Sequence, residues 1–471
     1  MKYREFYTTL FIPILFFVGT LLWMPVRTNF IFDTDEGQEL IKALLYSQGF
    51  SLYTPIWSDQ PPLLTIFLVR WFEGFGQSVF SARLLVLCLS SLLVLCFFQT
   101  LKLNLGQLPA SIGTLFLCLS GNFLRLSVSV MIGLPSLAFA MLAIYLLFRF
   151  VKHQKFAMLP ISGAAMAISL QLKMFSVFLI PLQIIVLLFA RSNPKSKFKL
   201  GVYQAAIAAF IWSGVVLLFF VAIGIACNSL DVNSFFQFHL ESSLKNIFIN
   251  ENSWLDTLVL CLQDLDYFLF AILGIKVVVS KRDILQLFPL LWLGTAALIL
   301  LNHKPIWYHH YLLLSLPAIW LASYGVAVAI PYFKGFKISQ FNLVVGLCLL
   351  SAIAAPIKLG VMHWQNRLFL QESQAKIEMV ERVLDYQQDT QWVFTDNPMY
   401  AFVARLPVPP EIAVLSRKRI ASGEMTRDKL YALLAKYRPE QVILERFPEV
   451  YDPIRPYLDA NYVKLSDRGS V

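Results

Sequence analysis

Four carboxylates fall within seven residues of this chain, Asp33, Asp35, Glu36 and Glu39, and a fifth, Asp59, follows two dozen positions later in Asp59-Gln60-Pro61-Pro62-Leu63. That density exceeds what one helix cap needs. A carboxylate at a partly dehydrated place has its pKa raised toward the working range of a general base. Capping is the plainer alternative: Asp35 three residues before Gln38, or Asp33 three before Glu36, fits a capping box, and Asp59 ahead of Pro61 fits an N-cap with proline in the first turn. Arg83, Arg125, Lys173 and the pair His303-Lys304 are the cations that could face an anionic leaving group, and Tyr308, His309, His310 and Tyr311 form a polar aromatic run beside the last pair. For each of these the competing reading is snorkelling or anchoring at a membrane interface.

The elements that must position these groups are membrane spans. The 471 residues are 58% hydrophobic and only 14% charged, with a mean hydropathy of +0.64, whereas soluble domains carry about a quarter charged residues. This excludes a soluble globular enzyme. Apolar runs long enough to cross a bilayer lie at about 7–26, 81–101, 108–124, 133–150, 156–170, 173–190, 201–226, 260–279, 284–301, 309–331 and 341–361, roughly eleven crossings. The first run reaches Met24 without a small-residue cleavage site and is expected to stay as a helix rather than be removed as a signal peptide. The fold class expected is therefore a polytopic α-helical membrane protein with eleven or more helices, residues 1–363, followed by a small soluble α/β domain, residues 364–471.

The net charge of +10 resides wholly in the membrane part, because residues 364–471 hold 15 basic and 15 acidic side chains. A positive-inside bias accounts for such an excess, so no nucleic-acid partner is implied. With the N-terminus cytoplasmic, the basic loop at 191–199 and Lys334 and Lys337 fall inside, while the acids of the first long loop, the loop at 227–259 and the tail fall outside. The six cysteines lie within or at the ends of spans, which indicates neither a disulfide framework nor a Cys-based zinc site.

The first outer loop, about fifty residues long, is longer than most structureless connections. Leu40, Ile41, Leu44 and Leu45 form an apolar stripe at helical spacing with Gly49 as a stop, so a short helix follows the acidic cluster. A second helix begins at Pro61, its face of Leu64, Phe67, Leu68 and Trp71 suited to the membrane interface. In the tail the pattern predicts a helix over 366–388, a strand in QWVFTD that ends at Asp396, a helix in TRDKLYALLAKYRPE and a strand in QVILER.

The acidic pair Asp35-Glu36 after the first span, followed by Asp59-Gln60-Pro61-Pro62-Leu63, resembles the first-loop pattern of the protein O-mannosyltransferase and bacterial aminoarabinose transferase superfamily. These are GT-C membrane glycosyltransferases, family 39-like, that use polyprenyl-phosphate sugars. The segment YHHYLLLSLPAIW, Tyr308 to Trp320, resembles their late helix, and TDNPMYAFVARLPVPPEIA resembles the outer tail of their bacterial branch. The resemblance implies that Asp35, with Glu36, is catalytic, Asp35 as the base that deprotonates the acceptor. It places Asp59 and Gln60 at the donor, where relatives carry an acid and then a Lys or His; the need to neutralise a departing phosphate adds expected substrate or phosphate contacts from Arg83, His303, Lys304, Tyr308, His310 and Tyr311. Some relatives hold a divalent metal ion between that acid and a histidine of a later outer loop, here Asp59 with His239. Gly133-Leu134-Pro135 stands where relatives often place an acid before proline.

The expected function is transfer of a sugar from a polyprenyl-phosphate donor to a lipid, glycan or protein acceptor on the outer face of a bacterial cytoplasmic membrane. The resemblance implies inversion at the sugar. Two other classes compete. A transporter or flippase of a lipid-linked substrate would show inverted repeats and mid-membrane polar residues. A lipid-linked glycan polymerase or ligase shares the donor class and has no need of the paired first-loop motif.

Overall fold

The computed structural model describes residues 2–190, 201–229, 253–301, 303, 306–332 and 338–465. In chain order the helices are α1 (Lys2–Trp23), α2 (Glu36–Ser47), α3 (Leu63–Phe75), α4 (Val79–Leu105), α5 (Gln107–Leu119), α6 (Gly121–Leu126), α7 (Gly133–His153), α8 (Met158–Leu172), α9 (Leu179–Phe189) and α10 (Val202–Ala226). They continue with α11 (Ser253–Gln263), α12 (Leu265–Lys281), α13 (Ile284–Leu301), α14 (Leu312–Tyr332) and α15 (Ile338–Asp385). Among the described residues six helices are long and apolar enough to cross a membrane, and four shorter apolar helices accompany them. The basic loop at 191–199, Lys334 and Lys337 lie outside the described residues.

Lipid supplies no hydrophobic drive between helices, so close packing must hold such a bundle together. The crossing of α12 and α14 shows how. A Cβ on Gly274 would lie 1.9 Å from the Leu321 carbonyl oxygen, and one on Gly325 would lie 2.2 Å from that of Phe270. Only two glycines allow the backbones this approach. Around it Phe97, Phe148, Phe288 and Trp320 fill the core, the Phe288 and Trp320 rings 5.7 Å apart.

Helix α15 departs from the expected pattern. It runs unbroken for 48 residues, about 72 Å at the α-helical rise, and so merges the last span with the predicted tail helix. The expected domain boundary at His363 falls inside it. Residues 361–385 contain no proline or glycine, so the change from apolar to charged composition marks the exit from lipid without ending the helix. Lys358 of this helix reaches Asp264 at 2.8 Å and Asp266 at 2.5 Å. Ser120 and Tyr267 donate to the same Asp264 oxygen at 3.1 and 3.0 Å. Both acids are buried partners of this lysine.

Beyond α15 the chain forms β1 (Val393–Thr395), α16 (Met399–Val403), α17 (Arg417–Ala421), α18 (Arg427–Tyr437), β2 (Gln441–Ile443) and α19 (Pro448–Asn461). The two strands pair in parallel, Phe394 opposite Val442, over a small core of Leu430, Leu434, Val450 and Ile454. Both strands are shorter than the sequence pattern predicts. The tail does not stand apart: Leu40 and Leu44 of α2, Val380 and Val383 of α15 and Tyr400 and Phe402 of α16 share one hydrophobic cluster. The first outer loop, folded as the two helices its periodicity predicts, is thus sandwiched between bundle and tail.

Candidate active site

Two adjacent acids in the first loop have opposite fates. Glu36, in the first turn of α2, is fully buried. Its Oε1 accepts from Arg83 Nε at 3.1 Å and the Val130 N–H at 2.9 Å; its Oε2 accepts from Arg83 Nη2 at 2.9 Å and the Phe32 N–H at 2.7 Å. Arg83 also donates to the carbonyls of Val26, Asn29 and Phe30. All five guanidinium N–H groups are therefore engaged, and the carboxylate has no lone pair left. A buried ion pair is tolerable only when satisfied in this way. The catalytic role expected of Glu36 and the phosphate contact expected of Arg83 do not fit this geometry: the pair ties the first loop to α4 and to the α6–α7 connection.

Asp35 turns the other way. It occupies the N-cap position of α2 with a helical backbone, φ −81° and ψ −13°, rather than the extended one a capping side chain uses, and makes no side-chain bond to the helix; its own N–H donates to Asp33 Oδ1 at 3.1 Å. The N-cap of α3 is Pro62 rather than Asp59. The Asp35 side chain keeps 44% of its surface open. Burial nevertheless raises its pKa, with Asp59 adding to the rise while Arg446, Lys173 and Lys42 oppose it. Asp33 is pushed up to about 6 by burial and by Asp35.

Lys173 lies between α8 and the 3₁₀ turn Met174–Phe178. Burial pushes it down to about 8, although the charges of Asp35, Asp59, Glu39 and Asp33 pull it up. Its ammonium lies 5.9 Å from the Phe175 ring, on which His310 stacks at 5.2 Å with 9° between planes. His303 meets His310 edge to face at 4.9 Å, so the expected histidines gather in one aromatic cluster beside this lysine. Arg125 holds the Phe32 carbonyl by two N–H groups, at 3.0 and 2.5 Å, over the Tyr308 ring at 4.9 Å. Tyr311 points elsewhere, its hydroxyl 3.3 Å from that of Tyr267 in the Asp264 cluster. The Gln60 carbonyl accepts from the Tyr53 hydroxyl at 3.0 Å, which fixes the turn before the paired prolines. Lys304 and His239 lie outside the described residues; among those described, no three His, Cys, Asp or Glu side chains form a metal-holding group.

Sequence reasoning missed Arg446. It follows β2, and its Nη2 donates to Thr34 Oγ1 at 2.9 Å and lies 3.8 Å from Asp35 Oδ1. Separated from Thr34 by 412 positions, it carries no local signal that could have found it. Asp396, expected only as an acid at a strand end, accepts three successive backbone N–H groups, from Glu445, Arg446 and Phe447, at 3.0, 2.8 and 2.8 Å.

A family model described as dolichyl-phosphate-mannose-protein mannosyltransferase matches residues 59–222. Among solved structures, ArnT from Cupriavidus metallidurans bound to undecaprenyl phosphate aligns with 94% of this chain and 94% of its own, at 12% identity and a TM-score of 0.61. The archaeal oligosaccharyltransferase AglB from Archaeoglobus fulgidus, in complex with an inhibitory peptide and a dolichol-phosphate, aligns with 86% of this chain and 64% of its own, at 11% identity and a TM-score of 0.51. No curated protein matches the chain.

Proposed function

We infer that this chain, a membrane protein of the GT-C glycosyltransferase superfamily, moves a sugar from a polyprenyl-phosphate donor to a hydroxyl of a lipid, glycan or protein acceptor at the outer face of a bacterial cytoplasmic membrane. Asp35 is the base. One observation carries this assignment: the Asp35 carboxylate is unspent by its helix, keeps 44% of its surface open, and lies within the fields of Lys173 and of Arg446 from the tail.

In the reaction, Asp35 takes the proton of the acceptor hydroxyl as its oxygen attacks the anomeric carbon. The bond from that carbon to the phosphate oxygen breaks, and the polyprenyl phosphate leaves with the electron pair. Attack opposite the leaving group inverts the sugar. Lys173 receives the charge that develops on the phosphate, and its partly desolvated setting strengthens that attraction. Phe175 and His310 offer a flat face on which a sugar ring or the head of the lipid can rest. Glu36 and Arg83 act at a distance, by holding the turn that aims Asp35.

Purified protein in nanodiscs, given a panel of polyprenyl-phosphate sugars, tests this reading. The expectation is that one donor supports transfer, and that Asp35→Asn binds that donor but turns it over slower by a factor of about 10² to 10⁴. If the wild type neither binds nor turns over any donor, the assignment fails.

A further inference from the structure

The tail is docked through backbone rather than through flexible side chains. A Cβ on Gly37 of α2 would lie 2.7 Å from the Met399 nitrogen and 3.2 Å from its Cα, so α2 and α16 approach as closely as a glycine permits. Gln38 Nε2 donates to the Leu415 carbonyl at 3.3 Å, and the Phe30 and Tyr400 rings lie 5.1 Å apart. The turn after β2 is equally fixed. Asp396 caps its three N–H groups, and the Glu445 carboxylate is held by Asn397 Nδ2 at 2.6 Å and the Tyr400 hydroxyl at 2.9 Å. Arg446 therefore reaches the N-cap of α2 from a rigid base.

What it does there differs from the work of Arg83. Arg83 binds Glu36 at short range and occupies every lone pair of that carboxylate. Arg446 stands off from Asp35 at 3.8 Å, gives its bond to the neighbouring Thr34 hydroxyl, and keeps Nη1 buried without a hydrogen-bond partner. A donor buried without a partner is costly, so local packing alone gives no reason for this placement. The contact orients an anion and leaves its oxygens open to take a proton.

We propose that Arg446 is a positioning residue for Asp35, delivered by the soluble tail, so that the active centre is complete only when the tail is docked on the first outer loop. The proposal rests on the glycosyl-transfer reading above. The groups facing Asp35 from the elements around it are Arg446 from the tail, Lys173 from the turn after α8, Lys42 of α2 and Asp59 of the outer loop, with Asp33 beside it in sequence. Lys42 is engaged with Glu39 at 2.9 Å, and Lys173 is assigned to the leaving phosphate, which leaves Arg446 to aim the carboxylate.

The test uses full-length protein in nanodiscs with the donor that the wild type turns over. Arg446→Gln is expected to lower kcat by about tenfold to a hundredfold, the scale on which a misaimed base is felt, with donor affinity and thermal midpoint unchanged. Arg446→Lys should recover part of that loss. Thr34→Val, which removes the hydroxyl that accepts from the Arg446 guanidinium, should lower kcat at least about threefold, and Thr34→Ser should restore it. Wild-type kcat in Arg446→Gln overturns the proposal. So does a loss that appears only together with a lowered thermal midpoint or weakened donor binding, since that is what a purely structural contact would give. A wild type inactive with every donor overturns the glycosyl-transfer reading itself, a different result from an active wild type that is indifferent to Arg446.

Discussion

Replacing Arg83 separates a structural arginine from a phosphate-binding one. In Arg83→Gln the Glu36 carboxylate loses two charged hydrogen bonds, from Nε at 3.1 Å and Nη2 at 2.9 Å, and the carbonyls of Val26, Asn29 and Phe30 lose their donors. Glu36 stays fully buried, with only the N–H groups of Phe32 and Val130 to hold its charge. Breaking one side of a buried pair costs about 3 to 5 kcal/mol, and the short glutamine cannot reach the three carbonyls together. The expected result is a fall of several degrees in the thermal midpoint, followed by fluorescence of the detergent-solubilised protein. Glu36→Gln should fall less, because the amide keeps the shape and part of the hydrogen bonding. The fraction that remains folded should bind donor with wild-type affinity. If Arg83→Gln kept its thermal midpoint and lost donor binding instead, Arg83 would be a phosphate ligand and the buried-staple account would be wrong.

Other consequences are open to measurement. Lys173 is held down to about 8, so its ammonium is present below that pH and lost above it; kcat/KM should fall on an alkaline limb near pH 8, and Lys173→Arg should move that limb upward. Lys358→Met leaves Asp264 and Asp266 buried without their cation and should cost about 3 to 5 kcal/mol, with Asp266→Asn in the same chain recovering part of it in a thermal scan. Gly37→Ala drives a methyl into the Met399 backbone, so limited proteolysis should cut the tail faster than in the wild type, with lower activity.

Some of this architecture was legible in the sequence and some was not, for identifiable reasons. The helices of the first loop followed from the spacing of Leu40, Ile41, Leu44 and Leu45 and from the prolines at 61 and 62, because apolar periodicity is a local signal. Hydropathy marked where α15 leaves the apolar region and could not mark where the helix ends, since a polar helix continues into water as readily as an apolar one crosses lipid. Residue type alone could not decide between Asp35 and Glu36. One step along a helix turns a side chain by about 100°, enough to leave one carboxylate half open and send its neighbour to a buried arginine. Arg83 looked available because it directly follows the acidic loop, and that same nearness lets it fold back onto Glu36. Arg446 reaches the loop only through tertiary docking, for which a single sequence offers no pattern.

The central claim is that Asp35 is the base of a glycosyl transfer from a lipid phosphate. Single-turnover transfer from a preloaded polyprenyl-phosphate sugar, comparing wild type with Asp35→Asn at equal donor occupancy, tests it most directly. The account predicts that the variant binds the donor as the wild type does and forms product slower by a factor of about 10² to 10⁴. Product formation at the wild-type rate in Asp35→Asn would contradict it.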